Sequence, residues 1–220
     1  MRVVCIDIGM VNLAYVDANI DDTCTQIIIN DTRRVDITVQ THDRVPRTEC
    51  HLFHSNDACD RVDHFVQEYR SMLDSADVIL IERQPQCGLV HVEQLLYSRY
   101  RTKSRLCSPT TLHKWLGIRT LDYEARKVET TRRAAPYLDY MAHFRDDDRK
   151  HDMADAMCFI MWYVDQLYNK RQIQLRQEEN QRTLHTRLDG GSTIGAWLDT
   201  FRHASGCTGT NPLRVDAPRN

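Results

Sequence analysis

The chain has no stretch approaching 18 consecutive apolar residues, so no membrane-spanning helix is expected. It also lacks the leader pattern of a secretory signal, because Met1 and Arg2 run straight into a strand-like segment. An intracellular protein is the expectation. Strong charge of one sign is missing: 29 Lys and Arg against 31 Asp and Glu leave a formal charge of −2, which is not the balance of a general polyanion binder. A disulfide framework is not called for. Eight cysteines are present, but Cys5 and Cys158 lie inside apolar runs, and 220 residues at 41% hydrophobic can bury one core without staples. Most are expected to be reduced thiols. Zinc-type spacing is absent as well. Cys50, His51, His54 and Cys59 are all ligand types, yet their intervals match none of the usual structural pairs, and adjoining Cys50 and His51 would strain a tetrahedral site. That segment reads as a polar loop with incidental His and Cys.

The near-zero net charge hides an asymmetry. Residues 1–98 hold 8 basic against 16 acidic side chains, residues 99–150 hold 13 against 7, and residues 151–220 hold 8 of each. The basic middle carries Arg99, Arg101, Lys103, Arg105, Lys114, Arg126, Arg132 and Arg133, interleaved with Tyr97, Tyr100, Trp115 and Tyr123. Such a surface neutralises phosphates and stacks on bases, so these eight cations are the expected DNA contacts. A solvated helical face is the competing reading.

Hydrophobic periodicity gives strands at 2–8 and 12–19, joined by a turn through Gly9 and Asn12, and a third at 26–30 with 35–39 continuing the ribbon. Residues 41–56 read as a loop. One helix over 60–73 leads to a buried strand at 76–82, which a crossover of that kind makes a parallel neighbour of the first. Helices follow at 91–101, from Ser108 and Pro109 through Leu116, at 122–138 and at 152–168, with a short strand at 106–107. Residues 169–220 read as a helical extension to about 187 and a disordered tail, with Ile194, Trp197, Leu198 and Phe201 on one face of a segment at 193–204.

Acidic residues stand where strands end. The apolar run Val3–Ile6 ends in Asp7, and the run 78–81 ends in Glu82; a carboxylate there must be paired, hydrogen-bonded or bound to a cation to offset its desolvation. Asp152 and Asp155 are three apart at the start of a helix, about 60° from one another and off the stripe formed by Met153, Ala156, Met157 and Ile160. First-turn acids also suit the helix dipole, which is the plainer explanation for that pair. Close carboxylates repel unless a cation joins them, and acids at the ends of three elements suggest a divalent-metal centre, used most often for phosphodiester hydrolysis. Lys127 and Lys150 are candidates to hold the phosphate or the developing charge, or else are surface lysines. Gln84 is placed to orient the strand end or touch DNA.

The segments VVCIDIGMVNLA, VILIERQP, SPTTLHKWLG and RKHDMADAMCF, in that order, resemble the Holliday junction resolvases of the RuvC type, closest to the branch with the poxvirus and mitochondrial enzymes. The resemblance covers residues 1–168. It implies an α/β fold, a ribonuclease H-like mixed five-stranded sheet with helices on both faces. It also implies a catalytic, metal-holding set of Asp7, Glu82, Asp152 and Asp155, two Mg²⁺ or Mn²⁺ ions per site, branched DNA as substrate and a homodimer. Action would be cytoplasmic, or at a viral DNA replication site if the protein is viral. His151 stands where the viral branch usually has another acid.

Two other classes compete. Sugar-kinase or actin-like ATPases also start from an Asp-x-Gly strand end, but their phosphate loop continues with Gly, Ser or Thr, where this chain has Met10, Val11 and Asn12. A catalytically silent branched-DNA-binding module would not need four acids.

Overall fold

The computed structural model describes residues 1–39 and 50–190, with side chains through 185. The chain forms two units, Met1–Lys170 and Arg171–Asn220. The described part of the second is helical. The first is built on a five-stranded sheet in the order β3-β2-β1-β4-β5, where β1 is Arg2–Asp7, β2 Leu13–Ile20, β3 Ile27–Val35, β4 Val78–Glu82 and β5 Ser104–Cys107. The β1-β2 and β2-β3 pairs are antiparallel, and β1-β4 and β4-β5 are parallel. Helices α1 Ala58–Glu68, α2 Arg70–Ser75, α3 Val90–Arg99, α4 Pro109–Leu116, α5 Tyr123–Leu138, α6 Ala142–Arg145 and α7 His151–Gly190 complete it. None of the described helices is long and apolar enough to cross a membrane.

The alternation of side chains along β1 divides the core. Val3 and Cys5 belong to the cluster holding Leu112, Ala134, Phe144 and the α7 residues Met153, Met157 and Ile160, whereas Val4 and Ile6 belong to the cluster of Val62, Phe65, Leu73, Val92 and Leu96. One layer of α4, α5 and α7 thus covers one face, and α1 to α3 cover the other. A central strand with both faces covered must be apolar throughout, which is why β1 reads as an unbroken run. Parity also fixes the site, because Asp7 follows Val3 and Cys5, and Glu82 follows Leu80, onto the face that carries α7.

Several elements depart from the sequence reading. The helix expected at 60–73 is two, divided at Tyr69, whose ring packs on Tyr15 of the sheet and on Phe65, each with centroids 5.0 Å apart. The third strand runs unbroken to Val35 and stops there. Asp36 Oδ1 accepts from the Thr38 N–H at 2.9 Å, a local turn that diverts 36–39 from the ribbon. The helix expected at 152–168 and the extension expected to about 187 are one helix ending at Gly190. Asp122 caps α5 by accepting from the Ala125 N–H at 2.8 Å. The face assigned to 193–204 lies outside the described residues, as does most of the 41–56 loop. Seven cysteines among the described residues are free.

Candidate active site

The β1-β4 register pairs Cys5 with Leu80 and Ile6 with Ile81, so one further step sets Asp7 beside Glu82 at the carboxyl ends of two parallel strands. Crevices at that end of an open α/β sheet are where such folds bind ligands. The start of α7 brings Asp152, in its first turn, and Asp155 within electrostatic reach of Asp7. Asp7 is driven well above the ordinary carboxylate range, first by burial, then by the charge of Glu82 and a hydrogen bond shared with it, with Asp155 and Asp152 adding their fields. Burial likewise pushes Asp155 up to about 7, reinforced by Glu82 and Asp152 and opposed by a hydrogen bond from Thr130 and the charge of Lys127. Solvent still reaches part of all four residues, as in a cleft open on one side. Asp7 and Asp155 are thus the members of the cluster on which burial and neighbouring charge press hardest in the absence of a cation.

A second layer fixes the acids. Gln84 Nε2 donates to Glu82 Oε2 at 2.7 Å, while Gln84 Oε1 accepts from the Leu89 N–H at 3.3 Å, so both ends of the amide agree on its orientation. Glu93 of α3, 2% exposed, accepts from the Gln84 N–H at 2.6 Å. A Cβ added at Gly88 would lie 2.9 Å from Gln84 Oε1, so the turn there packs directly on this amide. Arg34 on β3 gathers the other half. Its Nε donates to Asp147 Oδ2 at 2.9 Å, its Nη2 to Asp148 Oδ1 at 3.1 Å, and its Nη1 to Asn12 Oδ1 at 2.9 Å. Asp147 in turn accepts from the Arg149 N–H at 2.6 Å, which ties the entry of α7 to the turn after β1.

The fowlpox virus Holliday junction resolvase in complex with its substrate junction DNA superposes with a TM-score of 0.55 at 18% identity, over 76% of this chain and 99% of the viral one. The fold is that of the fowlpox virus resolvase. A second structure of that resolvase gives a TM-score of 0.54 at 17% identity, over 76% and 99% of the two chains. Thermus thermophilus RuvC gives 0.49 at 14%, over 76% and 96%. No family model matches the sequence, and no curated protein matches it.

On this resolvase fold the candidate cations divide. Lys127 Nζ lies 2.9 Å from His151 Nε2 and 4.2 Å from the centroid of the exposed Tyr123 ring, and its charge acts on Asp155. His151 Nε2 also lies 3.1 Å from Asp152 Oδ1, so it stands between an ammonium and a carboxylate, and burial lowers the pKa of that imidazole. Arg149 Nε reaches Asp152 Oδ2 at 3.3 Å. Lys150 instead stands 5.9 Å from the centroid of Phe144. Lys103 donates to the carbonyls of Leu73, Asp74 and Ala76 at 2.8, 2.7 and 3.0 Å, closing the end of α2 and leaving it no donor for phosphate in this conformation. Arg99 pairs with Asp63, Arg126 donates to the Leu121 carbonyl, Arg132 and Arg133 share Glu129, and Arg105 lies over Tyr163. Arg101 and Lys114 are exposed. Of the interleaved aromatics, Trp115 donates to Asp165 and Tyr97 and Tyr100 pack against the core, which leaves Tyr123 as the ring facing solvent beside the acids.

On sequence alone a dimer interface is placed on the helix at 91–101, through Val92, Leu95 and Leu96, residues that could equally pack on the sheet. That placement is corrected. Val92 and Leu96 are 0% and 1% exposed and Leu95 packs beside them in the α1 to α3 cluster, so the sheet already covers this face. The residues that sequence reading missed are Arg34, Thr130 and Glu93. Arg34 and Thr130 act across long separations and carried no local signal, while Glu93 looked like an ordinary surface acid of α3.

Proposed function

We propose that the protein is a structure-selective, metal-dependent DNA endonuclease that resolves four-way junctions by paired phosphodiester hydrolysis, leaving 5′-phosphate and 3′-hydroxyl ends. The convergence of Asp7, Glu82, Asp152 and Asp155 from β1, β4 and α7 carries this reading, on the fold of a viral enzyme whose substrate is a Holliday junction. The donors are all hard oxygens, the set preferred by Mg²⁺ or Mn²⁺, and the burial and Glu82 charge that drive Asp7 upward are the strain that cation binding would relieve. These four residues would hold the metal, two ions per site. Bound there, Mg²⁺ supplies a water nucleophile at neutral pH and charge stabilisation for the leaving 3′ oxygen.

The remaining steps belong to the chain's own side chains. Gln84 and the Arg34 clamp hold the carboxylates from two directions, Lys127 presents an ammonium to the scissile phosphate, and Tyr123 offers a ring to an unstacked base. The ATPase alternative is disfavoured by the turn after β1. It continues with Met10, Val11 and Asn12 in place of the Gly, Ser or Thr of a phosphate loop, and a Cβ at Gly9 would lie 2.5 Å from both the carbonyl carbon and oxygen of Asn12, so Gly9 serves the tightness of the turn itself. Incubation with a four-way junction, a flap and a linear duplex, with and without Mg²⁺, tests the proposal. Magnesium-dependent cutting of the junction in opposed strands is expected, and a protein that cuts none of them is not this nuclease.

Three further outcomes follow from the same reading. Gln84→Leu keeps the fold but frees Glu82, and should slow cleavage by roughly 10- to 100-fold with junction affinity unchanged; equal rates would remove Gln84 from the positioning layer. Neutralising Arg132 and Arg133 together should flatten the salt dependence of junction binding by roughly one unit of slope per lost phosphate contact. An unchanged slope would leave both arginines as partners of Glu129 alone. A junction needs two opposed nicks and each chain has one acid cluster, so a two-fold dimer is proposed, on a surface other than α3. Mixing wild-type and Asp152→Asn protein on a supercoiled cruciform should then accumulate singly nicked circles, which a monomer acting twice would not.

A further inference from the structure

We infer that Cys50, His54 and His64 form a zinc-binding site, separate from the acid cluster, that fastens the segment before α1 onto that helix. Among the described residues these three bring one ligand atom each within 4.8 Å of one another. Cys50 and His54 are half-buried and His64, in the middle of α1, is 5% exposed.

The hydrogen bonding matches what a metal needs. His64 Nε2 faces the Phe53 carbonyl oxygen at 3.1 Å, so this nitrogen carries the proton and donates, which leaves a lone pair on Nδ1. That Nδ1 points at Cys50 Sγ, 4.0 Å away. With zinc–sulfur and zinc–nitrogen bonds of about 2.3 and 2.0 Å, a tetrahedral ion would set these two atoms about 3.6 Å apart, a closure of a few tenths of an ångström. A ligating imidazole that donates its other N–H to a backbone carbonyl is the usual arrangement around zinc. His54 adds a second, independent sign: its Nε2 is buried with no hydrogen-bond partner among the described residues, and its ring lies 4.6 Å from that of His64. One thiolate and two imidazoles select zinc over the hard cations suited to the carboxylates. His64 also lines the cleft of about 350 Å³ in which Arg34 and Asp147 lie, so an ion here would brace the wall behind the clamp.

The site escaped the sequence reading because its third ligand is a helical residue ten positions beyond His54, whereas the local candidates His51 and Cys59 are exposed and do not join the group. The full chain, stripped with chelator and dialysed, should take up one Zn²⁺ in the presence of millimolar Mg²⁺. Cys50→Ser and His64→Asn should each weaken uptake by roughly 100-fold, whereas Glu82→Gln should leave it unchanged. Cobalt substitution of the wild-type chain should give a thiolate-to-cobalt charge-transfer band, a readout that stands even if a variant fails to fold. No zinc uptake, no such band, or zinc that disappears with Glu82→Gln in place of Cys50→Ser would overturn the assignment.

Discussion

Asp7→Asn, Glu82→Gln, Asp152→Asn and Asp155→Asn should each reduce cleavage of a four-way junction by roughly 10³-fold or more, while junction affinity measured without cutting stays within about threefold. Each substitution keeps the shape of its side chain and removes one ionised oxygen donor from a cluster whose members already interact. On the proposed function affinity would come from phosphate contacts made elsewhere, so binding and cutting should separate. The decisive measurement is single-turnover cleavage beside a binding titration in Ca²⁺. A variant that cuts at a rate near that of the wild type would take its residue out of the centre.

The same cluster should make the protein respond to pH in the sense opposite to that of acids held in salt bridges. Asp155 is raised from 3.8 to about 7, so the folded chain without metal holds a proton that the unfolded chain has released. Stability from this source is present in full below pH 4 and is lost as the pH rises through 7. In EDTA at pH 8, Asp155→Asn should therefore melt higher than wild type, by about 1–2 kcal/mol once partial solvent access and proton sharing are allowed for. At pH 4 the two should melt together. Adding Mg²⁺ at pH 8 should stabilise wild type more than the variant. Thermal melts across this range, with and without Mg²⁺, decide it; a variant that melts lower at pH 8 would mean that Asp155 is already compensated by its neighbours.

What the sequence made legible had a local cause. An acid ending an unbroken apolar run marks a covered strand whose tip is exposed to ligand, and this picked out Asp7 and Glu82; their shared face then followed from parity with Val3, Cys5 and Leu80. The helical pair Asp152 and Asp155 was legible from a spacing of three against the core stripe. Contacts made by tertiary packing were not. The break at Tyr69 depends on Tyr15 two elements earlier, and Val92 and Leu96 are apolar whether they face a sheet or a partner. Charge counting could not show the pairing within the basic block for the same reason. Lys103 and Glu129-bound Arg132 and Arg133 add to its formal charge but are engaged by carbonyls and a carboxylate within the fold.

The reach of Arg34 has a consequence for the order of assembly. Its bonds to Asp147 span 113 residues, joining an edge strand made early to a loop made late. Closing so long a loop costs more chain entropy than forming any helix or hairpin along the way, so this contact belongs among the last to form. Until then the turn after β1 and the entry of α7 are not drawn together, and Asp152 and Asp155 are not set against the strand pair Asp7 and Glu82. A chain still emerging from the ribosome would therefore carry Asp7 and Glu82 before the helix that brings Asp152 and Asp155 to them has been made.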